Sequence, residues 1–170
     1  MLPPNRPLDN SNPVIKQKLS QNRPLISIQN EQIEDLYDPV DNYEIFDLIK
    51  NIRDPEHPLS LEALGVVNLE NISVNDSFDP SNKSKCNNNV TVIITPTIPH
   101  CSLATLIGLT IHMQLSRTLP GRFKIKVLIE EGTHEQEREL NRQLNDKERV
   151  GAAFENKSLL KVINGCLGHV

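Results

Sequence analysis

The segment Thr95–Ser102, with the sequence Thr-Pro-Thr-Ile-Pro-His-Cys-Ser, holds the residues with the clearest potential for chemistry. Cys101 lies between a strand pattern and the start of a long helical pattern, and Pro96 and Pro99 restrict the backbone before it. A thiol beside the first turn of a helix has a lowered pKa, because the free N–H groups and the helix dipole favour the thiolate. His100, when charged, acts in the same direction. The segment therefore predicts a reactive thiol that attacks electrophiles or binds soft metals, or a small buried residue that fills space.

A second polar segment, Arg53–Leu59, holds side chains that could assist such a thiol. It reads Arg-Asp-Pro-Glu-His-Pro-Leu, so Asp54, Glu56 and His57 lie in a loop that two prolines stiffen. A carboxylate or an imidazole there could serve a metal ion or a thiol. An ordinary turn with Asp54 and Glu56 in solvent explains the same residues, and the pattern alone favours the turn.

Charged residues near the C-terminus form a third candidate. Asp146, Lys147, Glu148 and Arg149 present both signs of charge within one turn of a predicted helix. Such a run is typical of a solvated helix face, and it equally fits a surface that binds a partner protein.

The chain lacks the local motifs of common cofactor sites. It has no Cys-x-x-Cys, no His-x-x-x-His and no Gly-rich phosphate loop, so local motifs cannot close a zinc or iron–sulfur site. Cys86 falls in a polar loop, and Cys166 lies at helical spacing from Val162 and Ile163, which indicates packing. We therefore expect no stably bound cofactor.

The composition indicates a small soluble domain. Apolar residues make up 37% of the 170 residues, but aromatics only 4% and Trp is absent, so the core must be aliphatic. The net charge of −4 argues against nucleic acid or an acidic membrane surface as the main partner. No apolar run approaches the roughly 20 residues of a membrane span, and the proline-rich first residues do not resemble a secretory signal. An odd number of scattered cysteines fits a reducing compartment, and we expect a protein of the cytoplasm, or of the cytoplasm and the nucleus.

Two parts of the chain differ in character. Residues 1–38 contain five prolines among many Asn, Gln and Ser residues. Such a segment buries too little apolar area to offset the entropy of ordering, so we expect a disordered tail. Residues 39–170 form the domain, in which Ser77–Asn89 is a polar hairpin loop.

The domain begins with a segment of helical periodicity. Asp41 and Glu44 have capping-box spacing, and an apolar stripe at i, i+3, i+4 and i+7 follows from Ile45 to Ile52. Pro55 requires the helix to end before it. Ser60 is expected to cap one further turn that Gly65 closes.

Alternating apolar residues then predict three strands. The first includes Val67, Leu69, Ile72 and Val74, with a β-bulge near Glu70 where the parity changes. The second and third cover 90–94 and 123–129, and a long helix from about residue 102 to 117 joins them, with Gly108 close to the sheet. Thr133 and Gln136 have capping-box spacing before a polar helix, and a final helical stretch runs from Val150 to Ile163.

The order of elements predicts an α+β fold. The first two strands form an antiparallel hairpin, and the second and third are parallel and joined by a right-handed crossover. The result is a small mixed three-stranded sheet with helices packed mainly on one face.

Read together, these segments resemble a known family, the adaptor subunit of the eukaryotic cytosolic iron–sulfur assembly targeting complex. This is the MIP18 family, which is related to the bacterial SufT and PaaD proteins. The resemblance covers about residues 39–168, and its most specific parts are Asp54–Leu59 and Thr95–Ser102. The segments that carry it are Glu44–Ile49, Asp54–Leu59, Thr95–Ser102, Ala104–Leu109 and Asp146–Val150.

The resemblance implies an iron–sulfur-assembly-domain-like fold and partners. The partners would be a WD40 β-propeller subunit, a HEAT-repeat subunit and iron–sulfur apoprotein clients in the cytosol and nucleus; the family is also associated with chromosome segregation. Cys101 falls on the family's reactive cysteine, which implies transient ligation of cluster iron. Asp54, Glu56 and His57 are then expected beside Cys101. Nothing carries over to the tail or to the Ser77–Asn89 loop.

Three functional hypotheses follow. The leading one is a non-enzymatic adaptor whose Cys101 takes part in cluster transfer, with further cluster ligands from a partner, a second copy or the client. A rival is a cysteine enzyme with Cys101 as nucleophile and His57 or His100 as base. The third is an interaction module with a structural cysteine. An exposed strand edge or the Ser77–Asn89 loop would permit a homodimer.

Overall fold

A computed structural model of the chain describes residues 39–77, 88–97 and 103–168, together with Ile15. The expected N-terminal tail therefore lies outside the described residues, as do Cys86, His100 and Cys101. The described elements are the helices α1 (Asn42–Ile49), α2 (Ala104–Thr118), α3 (Glu137–Leu144), α4 (Lys147–Glu155) and α5 (Lys157–Cys166), a 3-10 turn (Leu69–Asn71), and the strands β1 (Ile72–Asn75), β2 (Asn89–Ile94) and β3 (Lys124–Ile129).

The predicted capping box starts α1. The Asp41 carboxylate accepts a hydrogen bond from the backbone N–H of Glu44 at 2.9 Å, and the Glu44 carboxylate accepts one from the N–H of Asp41 at 3.1 Å. The apolar stripe is also confirmed, because Ile45 and Ile49 are fully buried. The helix ends at Ile49, well before Pro55.

The strands form one mixed sheet in the order β1-β2-β3. β1 and β2 are antiparallel, with Ile72 opposite Val92, and β2 and β3 are parallel, with Val92 opposite Val127. Helix α2 is the crossover between the parallel pair. The α+β class and the three-stranded mixed sheet predicted from the sequence are therefore confirmed.

The predicted first strand is too long. Leu69–Asn71 form a 3-10 turn, closed by a hydrogen bond from the N–H of Asn71 to the carbonyl of Asn68, and the strand begins only at Ile72. The change of parity is thus absorbed by this turn rather than by a β-bulge. Val67 is buried in the loop before the turn, which accounts for an apolar residue at this position.

The core is mainly aliphatic, as the composition predicts, with Phe46 and Phe123 as its buried aromatic residues. One cluster of buried side chains joins the sheet to the helices, and each of its large members contributes about 1.5–3 kcal/mol by leaving water. Members that are completely buried come from α1, the following turn, β2, α2, β3 and α5: Ile45, Ile49, Leu61, Val66, Val90, Val92, Ile94, Ile111, Leu115, Val127 and Ile163.

Gly108 lies against helix α3. A Cβ atom at this position would lie 2.7 Å from Cδ1 of Leu144 in α3. The absence of a side chain therefore lets α2 and α3 approach closely, while the expected close approach of Gly108 to the sheet stays a prediction.

The C-terminal helices begin differently from the prediction. The N-cap residue of α3 is Gln136, whose side chain makes no capping hydrogen bond, so the expected Thr133–Gln136 capping box is wrong. The single final stretch is two helices, because Asn156 ends α4 and its side chain accepts from the N–H groups of Ser158 and Leu159 at the start of α5.

Candidate functional site

Thr95, the first residue of the Thr95–Ser102 segment, lies where the parallel strands end. The backbone N–H of Glu130 donates to the carbonyl of Ile94 at 2.9 Å, and the hydroxyl of Thr95 donates to the Glu130 carboxylate at 2.5 Å. Because parallel strands bring their carboxyl ends to one edge, Glu130 lies beside the first residue of the segment. Sequence reasoning missed Glu130, whose place after β3 is the only signal for it.

Leu103, which follows the segment in the sequence, lies at the start of α2. Leu103 and Ala104 are buried, and Leu103 is the N-cap residue of the helix. A leucine side chain accepts no hydrogen bond, so the first-turn N–H groups are not capped by the N-cap side chain. Cys101 stands three positions before the first helical residue, close to the predicted start. His100 and Cys101 themselves lie outside the described residues, so the reactive thiol stays a prediction.

The loop of Asp54, Glu56 and His57 is organised by its own aspartate. One carboxylate oxygen of Asp54 accepts from the backbone N–H groups of Glu56 and His57, at 2.8 and 2.9 Å. The N–H of Asp54 donates to the carbonyl of Leu59 at 2.9 Å, which closes the loop. Asp54 is therefore a loop-forming residue, not a freely solvated carboxylate.

His57 is the unusual member of this loop. Its side chain is buried, with 7% of the residue exposed. Its Nε2 atom is buried and has no hydrogen-bond partner among the described residues. A buried polar atom without a partner costs about 1–3 kcal/mol, so this imidazole is suited to a group that the described residues do not supply.

The loop packs against the end of α5. The N–H of Arg53 donates to the carbonyl of Cys166 at 2.9 Å. Burial, and next the nearby charge of Asp54, raise the pKa of the Cys166 thiol to about 11. Cys166 is therefore a protonated packing residue at neutral pH, as its spacing predicts.

A short chain of backbone contacts joins the two family segments. Thr95 donates its N–H to the carbonyl of Val66, and Val66 donates its own to the carbonyl of Leu61, both at 2.9 Å. Leu61 in turn donates to the carbonyl of Ile52, next to the Arg53–Leu59 loop. These contacts hold Thr95 and the Arg53–Leu59 loop on one framework, while the predicted closeness of Asp54–His57 to Cys101 stays a prediction.

The four charged residues of the third candidate are exposed at the start of α4. Asp146 is the N-cap residue and accepts from the N–H groups of Glu148 and Arg149, at 3.0 and 3.4 Å. Arg149 also lines a cavity of about 340 Å³ with Thr105 of α2. The candidate partner surface, Asp146–Arg149, therefore borders the first turn of the helix that follows Cys101, a relation the sequence did not predict.

The described residues offer no preformed metal site. Within 39–77, 88–97 and 103–168, no group of three or more His, Cys, Asp or Glu side chains could hold a metal ion. Among the helices of these same ranges, none has the length and apolar character needed to cross a membrane.

Comparison with known proteins agrees with this fold and these segments. Residues 42–129 match the protein family described as iron–sulfur cluster assembly protein. The chain is 51% identical over 160 residues to cytosolic iron-sulfur assembly component 2B of Mus musculus, covering 94% of this chain and 91% of the mouse protein. It is 49% identical over 160 residues to the MIP18 family protein galla-2 of Drosophila melanogaster, covering 94% and 95% of the two chains. The chain therefore belongs to the MIP18 family of iron–sulfur cluster assembly proteins, as the sequence resemblance predicts.

Proposed function

We propose that this protein is a non-enzymatic adaptor in cytosolic iron–sulfur protein assembly, which helps deliver clusters to apoproteins in the cytosol and nucleus. The observation that carries the proposal is the near full-length similarity to a mouse protein named as a cytosolic iron–sulfur assembly component. The partners would be the WD40 propeller and HEAT-repeat subunits of the targeting complex, and the exposed Asp146–Arg149 turn is the candidate surface for one of them.

Cys101 is proposed as the thiol that meets the cluster. A cluster iron atom needs several soft ligands, and one cysteine supplies only one. The described part of the chain adds no three-residue ligand group, which supports a transient role rather than storage. The cluster is thus cargo, and no stably bound cofactor is proposed.

Transfer would proceed by exchange of thiolate ligands. The Cys101 thiolate would bond to a cluster iron as a donor thiolate leaves, and a client thiolate would then displace Cys101. Each exchange forms and breaks one iron–sulfur bond, and no electron is transferred. Two contacts of Thr95 support this role because they hold the start of the segment in place: its backbone N–H donates to the carbonyl of Val66, and its hydroxyl donates to the Glu130 carboxylate.

A rescue experiment tests the proposal. Cells depleted of the endogenous protein would receive wild type, Cys101→Ser or Cys86→Ser, the last as a control for a cysteine in the polar loop. Partner pull-down and the activity of a cytosolic iron–sulfur enzyme are then measured. Retained partners with lost client activity in Cys101→Ser alone support cluster delivery. Retained activity would make Cys101 structural and leave a docking scaffold.

A further inference from the structure

One face of the sheet carries no helix layer in the described part of the chain. Along β2 and β3, residues of the core cluster alternate with residues that are half-buried or exposed. Every described helix contributes to that same cluster, so the helices pack on the buried side of the sheet. The residues of the other side are Ser73, Asn75, Asn89, Thr91, Ile93, Lys124, Lys126 and Leu128.

Charge is ordered along β3 on this uncovered face. Lys124 and Lys126 come first, Leu128 follows, and Glu130 stands directly after the strand, each two residues from the next. Glu130 continues the alternation, because its N–H still donates to the carbonyl of Ile94 in β2. Ile93 of β2 lies beside Leu128. An apolar pair therefore separates a positive end of the face from a negative end.

The charged groups of the face are free to meet a second molecule. The ammonium groups of Lys124 and Lys126 are exposed and form no ion pair with any residue of the described ranges. The Glu130 carboxylate accepts a hydrogen bond from the Thr95 hydroxyl. Its two oxygens can accept further hydrogen bonds beyond that one.

This pattern is complementary to itself when a second copy is turned end for end. Lys126 and Glu130 each lie about 7 Å along the strand from Leu128. Consider a two-fold axis that runs between two stacked sheets, across the strands at the level of Leu128. It puts Lys126 of each copy opposite Glu130 of the other, and it brings the two apolar pairs together at the centre. Stacked sheets lie about 10 Å apart, a gap that a lysine and a glutamate side chain span together.

The outer edge of β3 is less suited to a second copy than this face. The side chains of Asn141 and Asn145 already bond the backbone N–H of Ile129 and the carbonyl of Val127. A strand from another molecule would have to displace them before it could pair there. The face requires no such exchange.

We propose that the chain forms a two-fold symmetric dimer through the uncovered face of its sheet. Lys126 of one copy pairs with Glu130 of the other, and Ile93 and Leu128 of both copies form the centre. Three short strands offer less area than the roughly 800 Å² per partner of a stable complex, so the dimer is weak and reversible. The dimer depends neither on the adaptor role nor on Cys101.

Sedimentation equilibrium of the full-length chain in reducing buffer tests the proposal. Between about 1 μM and about 1 mM, wild type should pass from monomer to dimer. Lys126→Glu creates two pairs of like charge across the axis and should raise the dissociation constant at least about tenfold, as should Glu130→Lys. Lys161→Glu makes the same charge change at an exposed lysine of α5 and should leave the dissociation constant unchanged.

An equimolar mixture of the Lys126→Glu and Glu130→Lys chains tests the pairing itself. In the mixed dimer the introduced glutamate faces the introduced lysine, and the native Lys126 faces the native Glu130. Association should therefore return to nearly the wild-type value, although neither variant associates alone. If Glu130→Lys does not fold, Glu130→Gln keeps an acceptor for Thr95, removes the charge and should weaken the dimer severalfold.

Three outcomes would overturn the proposal. The first is a wild-type chain that stays monomeric throughout the concentration range. The second is a dimer that the substitutions at Lys126 and Glu130 leave intact, because its contact would then lie elsewhere, such as at a strand edge. The third is a mixture of two folded variants that does not associate.

Discussion

Asn145, the residue that follows α3, donates a side-chain hydrogen bond to Val127 at the outer edge of the sheet. Its side-chain Nδ2 donates to the backbone carbonyl of Val127 at 2.9 Å. One turn earlier, the Asn141 Oδ1 atom accepts from the N–H of Ile129 at 2.7 Å. The spacing i, i+4 puts both side chains on the same face of the helix. Two asparagines therefore satisfy edge groups of β3 that would otherwise need water or another strand.

Removal of the Asn141 side chain is expected to destabilise the domain. Asn141→Ala leaves the N–H of Ile129 without its acceptor, so the free energy of unfolding should fall by about 1–3 kcal/mol. Urea unfolding measures the change. Asn51→Ala, which truncates an exposed asparagine after α1, is the control and should change little. Equal stability of the two variants would show that water replaces the cap without cost.

Gly108→Ala tests the close approach of α2 and α3. The new Cβ atom would meet Cδ1 and Cδ2 of Leu144 at 2.7 and 2.8 Å, and Leu144 is only 1% exposed. Overpacking of this kind costs about 1–3 kcal/mol, which outweighs the gain of about 1 kcal/mol in helix propensity. The melting temperature should therefore fall.

Gly151→Ala provides the matched control for that substitution. Gly151 lies inside α4, and nothing lies within 4 Å of a Cβ atom there. This variant should gain up to about 1 kcal/mol from propensity alone, so its melting temperature should rise. A rise in both variants would mean that Leu144 moves aside easily.

The periodic patterns predicted the elements because periodicity reports which face is buried. The alternation of Val90, Val92 and Ile94 predicted β2 correctly, and the apolar stripe that begins at Ile45 predicted α1. The same reasoning failed at Val67, where apolar character reflects a buried loop. Local sequence cannot distinguish these cases, because both remove the side chain from water.

The candidate site was less predictable because it depends on long-range packing. The capping of the Asp54 loop is local, and the Asp-Pro-Glu-His spacing is compatible with it. In contrast, the contact of this loop with Cys166, through the N–H of Arg53, joins residues more than a hundred positions apart. Tertiary packing also brings Glu130 beside Thr95 and Arg149 beside Thr105, so no local motif predicts these neighbours.

The Cys166 thiol should make stability fall at alkaline pH. Its pKa is about 11 in the folded chain against an ordinary value of 9.0. Between these values the unfolded chain releases the proton and the folded chain keeps it, so stability is lost as pH rises. Urea unfolding at pH 8 and pH 10.5 should show an extra loss of up to about 2 kcal/mol in wild type relative to Cys166→Ala. Parallel losses in the two proteins would contradict the raised pKa.

Asp54→Ala should disorganise the Arg53–Leu59 loop. The substitution removes the acceptor of two backbone N–H groups, those of Glu56 and His57. Loss of a comparable capping side chain costs about 0.5–2 kcal/mol. Hydrogen exchange of the two amides should accelerate, and the free energy of unfolding should fall.

Asp54→Asn separates the geometry of this loop from its charge. The amide oxygen of asparagine can accept the same two hydrogen bonds, so slow exchange at Glu56 and His57 should be retained. If this variant then fails to restore client activity in depleted cells, the charge of Asp54 is needed for function and not only for folding. If it restores activity fully while Asp54→Ala does not, Asp54 serves by shaping the loop that presents His57. Fast exchange in both variants would show that the loop is held by other contacts, such as that between Arg53 and Cys166.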